Sequence, residues 1–325
     1  MSDLHHSLRV RVERVEHLAQ GVKALRLVPA HVGALPTFSA GAHVDVLLPN
    51  GLSRSYSITS ADDQCAHYEI AVAHDAASRG GSAFVHEHVA AGDELWISAP
   101  KNHFPLHEGP APTVLIAGGI GITPIRAMVR RLQREGRPWT LHYACRSRER
   151  ATFLGELQAD AQASGAQMQV WWDDEQGNQA LDVRALVAQA APHVHLYCCG
   201  PAPMLAAFTA ACTGRPADHV HLEHFKPVAA AASAQALPTF KVELARTGRV
   251  VQVPEGSTIL DALMMNGIDV PYSCCEGLCG TCETRVIAGV PDHRDNLLTE
   301  RARQANDAII LCVSGSKSPS LVLDL

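Results

Sequence analysis

Ser273-Cys274-Cys275-Glu276-Gly277-Leu278-Cys279-Gly280-Thr281-Cys282 is the stretch on which the reading of this chain turns. Cys274, Cys279 and Cys282 stand in the order C-x4-C-x2-C, and Cys312 lies well downstream. That spacing supplies a plant-type [2Fe–2S] cluster with three thiolates from one tight loop and a fourth from a distance. Gly277 and Gly280 let the loop turn toward the sulfurs. Taking Cys275 in place of Cys274 gives C-x3-C-x2-C, so Cys274 fits the pattern better. A zinc knuckle pairs two C-x2-C units, whereas this stretch has one. A zinc-stabilised structural domain stays as the competing reading. A chain with such a cluster handles single electrons, and the question becomes where they enter.

The rest of the chain is ordinary globular protein. It has 325 residues, 47% of them apolar and 18% charged, with a formal net charge of −6. That length suits two or three domains. The negative balance argues against nucleic acid as a partner. No basic segment followed by an apolar run opens the chain, and no apolar run approaches a membrane span. The expectation is a cytoplasmic protein with no membrane partner, its ten cysteines reduced.

Residues 1–108 alternate as short strands, at Leu8 to Val15, Val22 to Val28, Ala42 to Leu48, Arg54 to Thr59, Tyr68 to Val72 and Glu94 to Ser98. One helix is expected at Ser82 to Ala90. This pattern predicts a small antiparallel barrel. Within it, Arg54-Ser55-Tyr56-Ser57 offers a guanidinium fork for phosphate, a flat ring and hydroxyls. A solvated edge strand would look the same. Arg79-Gly80-Gly81-Ser82 precedes the helix, where amides could hold an anion, with Ser82 as cap and donor; an ordinary surface turn is the alternative.

Residues 109–228 alternate strand and helix, which predicts a doubly wound parallel sheet. The strand at Thr113 to Ala117 runs into Gly118-Gly119-Ile120-Gly121-Ile122-Thr123-Pro124. Thr123 is expected at the N-cap of the helix that follows and Pro124 at its first position. A strand, a Gly turn and a helix can hold a pyrophosphate, although G-x-G-x-x-G is not met. Cys199-Gly200-Pro201 closes another strand, where Cys199 is either a small core residue or a ligand neighbour. Residues 229–238 are Ala-rich and end in Pro, an expected linker. Residues 239–325 hold a hairpin, a helix at Ser257 to Gly267, the cysteine loop and strands, which predicts an α+β unit of β-grasp type. The fold class is thus multidomain.

Taken in order, Arg54-x-Tyr56-Ser57, Gly80-Gly81-Ser82, Gly118 to Pro124, Asn102-His103-Phe104-Pro105, Cys199-Gly200-Pro201, Glu223-His224-Phe225 and the cysteine pattern resemble the phthalate dioxygenase reductase family. That family includes the reductases of vanillate O-demethylases, and the resemblance covers essentially the whole chain. It implies an FMN-binding barrel, an NAD-binding domain and a plant-type ferredoxin domain. By that likeness Arg54, Ser55, Tyr56 and Ser57 contact the flavin, with Ser57 near N5. Arg79, Gly80, Gly81 and Ser82 hold the FMN phosphate. Gly119, Gly121, Thr123 and Pro124 border the nicotinamide dinucleotide, Cys199 sits beside the nicotinamide, and Phe225 lies near the flavin ring. The implied activity is transfer of electrons from NADH through FMN to the cluster and on to a partner.

FMN rather than FAD, and a monomeric state, rest on the same likeness. So does NADH rather than NADPH, because Arg146-Ser147-Arg148 could accept a 2′-phosphate or be a solvated basic turn. No Rieske pattern and no facial triad of metal ligands occurs, so the expected acceptor is the oxygenase component of a Rieske system. Residues 239–325 carry eight Lys/Arg against eleven Asp/Glu, which suggests docking on a basic surface. A redox-sensing module without turnover is the remaining alternative.

Overall fold

The computed structural model describes residues 8–63, 65–75, 79–175, 181–227 and 239–325. The expected linker, 229–238, lies outside them. The described chain falls into two compact units, one ending at Phe225 and one beginning at Lys226.

The first unit opens with β1 (Leu8–Ala19), β2 (Val22–Pro29), β3 (His43–Leu47), β4 (Ser53–Ser57), β5 (Tyr68–Ala73), α1 (Gly81–His88) and β6 (Glu94–Ile97). The strands form one antiparallel sheet in the order β4-β3-β6-β1-β2-β5. Strand alternation decides which face is inside. Val10 and Val12 are fully buried, while Arg9 and Arg11, which alternate with them, are exposed. The two edges then meet. Ile58 bridges Ile70, and the Thr59 N–H donates to the Glu69 carbonyl at 2.7 Å, so the sheet closes into the expected barrel.

The same unit continues with β7 (Thr113–Gly118), α2 (Ile122–Arg134), β8 (Trp139–Cys145), α3 (Leu154–Ser164), β9 (Gln167–Trp172), α4 (Val183–Gln189), β10 (His195–Cys199), α5 (Ala202–Ala211) and β11 (Val220–Glu223). All neighbouring pairs are parallel, in the order β11-β10-β7-β8-β9. The strand order reverses between β7 and β10, and ligands of such sheets bind outside the carboxyl ends at that point. Buried ion pairs tie this sheet's helices to the barrel. Arg126 on α2 is 4% exposed; it donates to the Thr59 carbonyl at 3.0 Å, to Glu69 at 3.2 Å and to Glu156 at 2.5 Å. Asp62 accepts from Arg131 at 3.2 Å and from Arg134 at 2.6 Å.

The second unit holds β12 (Phe240–Leu244), β13 (Val250–Val253), α6 (Ile259–Met265), β14 (Glu283–Ala288), β15 (Pro291–Asp292), α7 (Glu300–Ala305), β16 (Ala308–Ile310), β17 (Gly315–Ser316) and β18 (Ser320–Leu323). Its main sheet runs β13-β12-β18-β14-β16, with the last strand in the centre and parallel to β12. Thr258 caps α6 by accepting the Asp261 N–H at 3.1 Å.

Histidines crowd the amino-terminal edge of the parallel sheet. The His107 and His195 rings stack 3.6 Å apart, His219 lies 4.4 Å from His195, and His195 Nδ1 is 3.1 Å from His221 Nε2. Arg137, Glu108 and Asp218 supply the nearby charges. Burial, then the neighbouring imidazoles, push His195 and His221 down to about 4. The folded chain therefore resists protons that the unfolded chain accepts near 6.5. This contribution to stability is intact above about pH 6.5 and is lost as the pH falls toward 4. Urea midpoints should fall between about pH 7.5 and about pH 5, and His195→Gln should narrow that fall. An identical fall in both proteins would count against the cluster as its source.

Candidate functional site

In the barrel, the structure brings two separated motifs together. Arg54 on β4 lies across the start of α1. A Cβ on Gly81 would sit 2.7 Å from both Cγ and Nε of Arg54, so only glycine leaves room for the guanidinium stem. Arg54 Nη2 reaches the Arg79 carbonyl at 3.4 Å. Helix α1 begins one residue earlier than its pattern predicts. Its N-cap is Gly80, at φ 91°, and not Ser82, whose hydroxyl accepts the Asp75 N–H at 3.2 Å. A glycine cap offers no side-chain acceptor, which leaves first-turn amides for an anion beside an arginine. This is a cradle into which a phosphate fits.

The rest of the motif divides by strand face. Ser55 turns its hydroxyl to the buried Asp45 at 2.5 Å, and Lys101 reaches the same carboxylate at 2.7 Å. Burial pushes the Asp45 carboxyl up, but Lys101 and its other partners outweigh that and hold it below the usual range. The Ser55 side chain is thus committed away from Arg54. Tyr56 is partly buried, and burial pushes its phenol up to about 12 against the pull of Arg54. Ser57 is buried and pairs across the ladder with His43. His43 Nε2 is buried with no hydrogen-bond partner among the described residues, and burial pushes this imidazole down to about 4. A neutral, unsatisfied ring nitrogen beside Ser57 suits a site that a polar ring system would complete. Phe225 is 37% exposed at the end of the unit.

The second constellation lies where the strand order reverses. A Cβ on Gly121 would stand 2.1 Å from the Cys199 carbonyl oxygen and 2.9 Å from the Gly200 nitrogen. The turn after β7 therefore touches the end of β10, and Gly119 lies beside it with φ 53°. The helix here also differs from expectation. The N-cap of α2 is Gly121, not Thr123. Thr123 and Pro124 are buried in the first turn, and the Thr123 hydroxyl donates to the Ile120 carbonyl at 2.9 Å. Cys199 is fully buried, 4.0 Å from a carboxylate oxygen of Glu223 on β11. Burial pushes the Cys199 thiol well up and the Glu223 carboxyl up to about 8. Both therefore favour their neutral forms at neutral pH.

Glu223 has no role assigned from the sequence beyond its place in the Glu223-His224-Phe225 motif. Its register opposite Cys199 on the next parallel strand is the signal that identifies it.

In the second unit Cys274, Cys279, Cys282 and Cys312 are all buried, while Cys275 is exposed with φ 54°. The four thiols associate two by two. A hydrogen bond with Cys279 pushes Cys274 up; one with Cys282 pushes Cys312 up and correspondingly holds Cys282 down. The two pairs also face each other, Cys279 acting on Cys282 and Cys274 on Cys312, so the four sulfurs form one group. Donors surround the sulfurs. The Glu276 N–H reaches Cys274 Sγ at 3.4 Å, the Thr281 hydroxyl lies 3.2 Å from Cys279 Sγ, and the Gly277 backbone bonds the Cys312 sulfur. Gly277 has φ 71°, and a Cβ there would meet Val313 Cγ2 at 2.7 Å.

Two family models match the chain: an oxidoreductase NAD-binding domain over residues 115–210 and a 2Fe-2S iron-sulfur cluster binding domain over residues 242–316. The phenoxybenzoate dioxygenase subunit beta of Ectopseudomonas oleovorans is 45% identical over 97% of either chain. A vanillate O-demethylase oxidoreductase of Pseudomonas sp. (strain HR199 / DSM 7063) is 42% identical over 98% of this chain and 100% of that one. The solved structure of phthalate dioxygenase reductase matches with a TM-score of 0.70 at 34% identity over 98% of each chain.

The chain belongs to the phthalate dioxygenase reductase family.

A type IV self-sufficient cytochrome P450 monooxygenase matches with a TM-score of 0.90 at 34% identity. The chain spans 41% of that longer protein. Like its relatives, this member of the family is an NAD-dependent iron–sulfur oxidoreductase with a barrel, a nucleotide-binding domain and a ferredoxin domain. The packing at Gly121 makes a direct test possible. Gly121→Ala drives a methyl group into backbone and should destabilise the first unit by on the order of 2–5 kcal/mol in urea unfolding. Gly155→Ala, on α3 with nothing within 4 Å of the new methyl, should cost nothing or stabilise slightly. Equal stability of the two variants would contradict this packing.

Proposed function

We propose that this chain is the reductase component of a two-component Rieske oxygenase or O-demethylase, carrying electrons from NADH through FMN to a [2Fe–2S] cluster and on to the oxygenase. The observation that carries this is the presence of all three constellations in one chain, over the full length of relatives named as dioxygenase and demethylase reductases. The proposed parts are a flavin barrel at 1–108, a nucleotide domain at 109–228, a linker at 229–238 and a ferredoxin domain at 239–325.

A flavin, when bound, takes electrons in pairs and releases them singly, which is the conversion that NADH and an iron–sulfur cluster require. The residues present support specific roles. Arg54, the Arg79 to Ser82 turn and the first amides of α1 bind the phosphate. Tyr56 covers the ring, Ser57 lies near N5, Ser55 contributes through its backbone, and Phe225 closes the ring's outer side. Gly119, Gly121 and the first turn of α2, ordered by Thr123 and Pro124, receive the dinucleotide. Cys199 and Glu223, neutral and buried, border the nicotinamide and keep water away. Cys274, Cys279, Cys282 and Cys312 hold the cluster, and the donors at Glu276, Gly277 and Thr281 tune its potential.

No helix among the described residues is long and apolar enough to cross a membrane. The proposed setting is a cytoplasmic monomer that meets a basic face of the oxygenase. The acidic balance of residues 239–325 supports that docking.

Anaerobically purified protein should show flavin absorption, broad sulfide-to-iron absorption and about two irons per chain. Zinc without iron or sulfide would overturn the reading. Cys279→Ser should leave flavin reduction by NADH intact and abolish electron delivery to the oxygenase. Loss of both would contradict separate entry and exit sites, and a bound flavin that NADH does not reduce would favour a sensing module.

A further inference from the structure

We propose that Glu175 sets the nucleotide preference of this chain by holding Arg148 away from a 2′-phosphate. The inference rests on the NADH reading above and names its determinant.

In a doubly wound sheet the adenosine ribose is recognised at the carboxyl end of the strand beside the Gly turn, where an acidic group takes the ribose hydroxyls and an arginine takes a 2′-phosphate. That end is Cys145 of β8, and Arg146-Ser147-Arg148 leaves the sheet there. Alone, these residues suit a phosphate. The structure gives Arg148 another partner. Its Nε donates to Glu175 Oε1 at 2.5 Å and its Nη2 to Oε2 at 2.9 Å, so both carboxylate oxygens are engaged. The guanidinium also lies 5.0 Å over the Trp172 ring. Stacked on Trp172 and bonded through Nε and Nη2, the guanidinium has its side-on edge committed to Glu175, which fixes its direction and offsets its charge.

The chain is built to deliver Glu175 to this place. The Asp173 N–H donates to the Cys145 carbonyl at 3.0 Å, which continues the β8–β9 ladder past the strand ends. Asp174 and Glu175 therefore leave β9 beside Arg148, where Glu149 adds a third carboxylate. A 2′-phosphate would bring nearly two further negative charges to three carboxylates. A ribose hydroxyl, which can donate, meets the same acceptors favourably. The Arg148 and Glu175 side chains are 63% and 43% exposed, so the pair contributes little to folding and its removal leaves the fold intact.

The test uses the full-length protein with its cofactors, ferricyanide as acceptor, and NADH and NADPH in turn. Glu175→Gln frees Arg148 and removes one repelling charge. The ratio of kcat/KM for NADPH to that for NADH should rise about tenfold or more, mainly through a lower KM for NADPH. Adding Arg148→Ala to Glu175→Gln should reverse most of that rise. An unchanged ratio in Glu175→Gln overturns the proposal, as does a wild-type protein that already prefers NADPH. A structural role alone would weaken both nucleotides alike. A wild-type protein that oxidises neither nucleotide fails at the functional reading, and this proposal falls with it.

Discussion

The backbone of Gly121 meets the carbonyl of Cys199 so closely that no side chain fits between them. Much of the first unit's arrangement follows from that contact. It draws the turn after β7 against the end of β10, at the one place where the order of a doubly wound sheet reverses. Glu223 arrives through the next ladder, in register with Cys199. A strand order, a glycine and a register thus bring together groups that stand about a hundred residues apart in the chain. The turn before α1 in the barrel uses the same device, with Arg54 lying where a side chain at position 81 would be. Backbone that must approach a ligand or another backbone cannot carry a side chain there.

Such a site also needs the barrel and the sheet to hold a fixed relation within the first unit. Arg126 and Asp62 provide it. Arg126 is nearly inaccessible and bonds a barrel carbonyl, a barrel carboxylate and a carboxylate of α3. Its guanidinium also lies 4.1 Å from the Phe153 ring. A buried charge of this kind adds modest net stability, because desolvation offsets most of the attraction. Losing one partner, by contrast, strands the other at a cost of about 3–5 kcal/mol. The effect is directional. An apolar contact tolerates sliding, whereas a guanidinium with three fixed acceptors tolerates little.

The sequence was most legible where the physics is local. Alternation placed every barrel strand, and the apolar runs of β7 and β10 placed the parallel sheet. The cysteine spacing needed no tertiary information, because three ligands lie within one loop. The failures have a common cause. Thr123 and Ser82 carry the preferred capping side chains, yet the caps are Gly121 and Gly80, because close packing at Gly121 and left-handed backbone at Gly80 override propensity. The strand β18 escaped notice because it is four residues long and follows a Ser-rich turn, yet it lies at the centre of its sheet. Its place depends on pairing with residues some eighty positions away, which no window of sequence contains. The motif Glu223-His224-Phe225 was legible, but the pairing of Glu223 with Cys199 was not, since the two lie on different strands.

The cysteines show how the local and the distant meet. Cys282 and Cys312 belong to the apolar core of the second unit, packed with residues of β12, β14, β16 and β18. Cys274 and Cys279 lie outside that core, on a loop shaped by positive φ at Cys275, Gly277 and Gly280. One pair is thus fixed by the sheet and the other by the loop. The Gly277 amide, reaching from the loop to the Cys312 sulfur, joins them. A loop that folded independently of the sheet could not keep two pairs in register. A sheet without the loop would supply only two sulfurs. The four sulfurs are therefore brought together only when loop and sheet both form, which makes their arrangement a property of the whole unit and not of the motif.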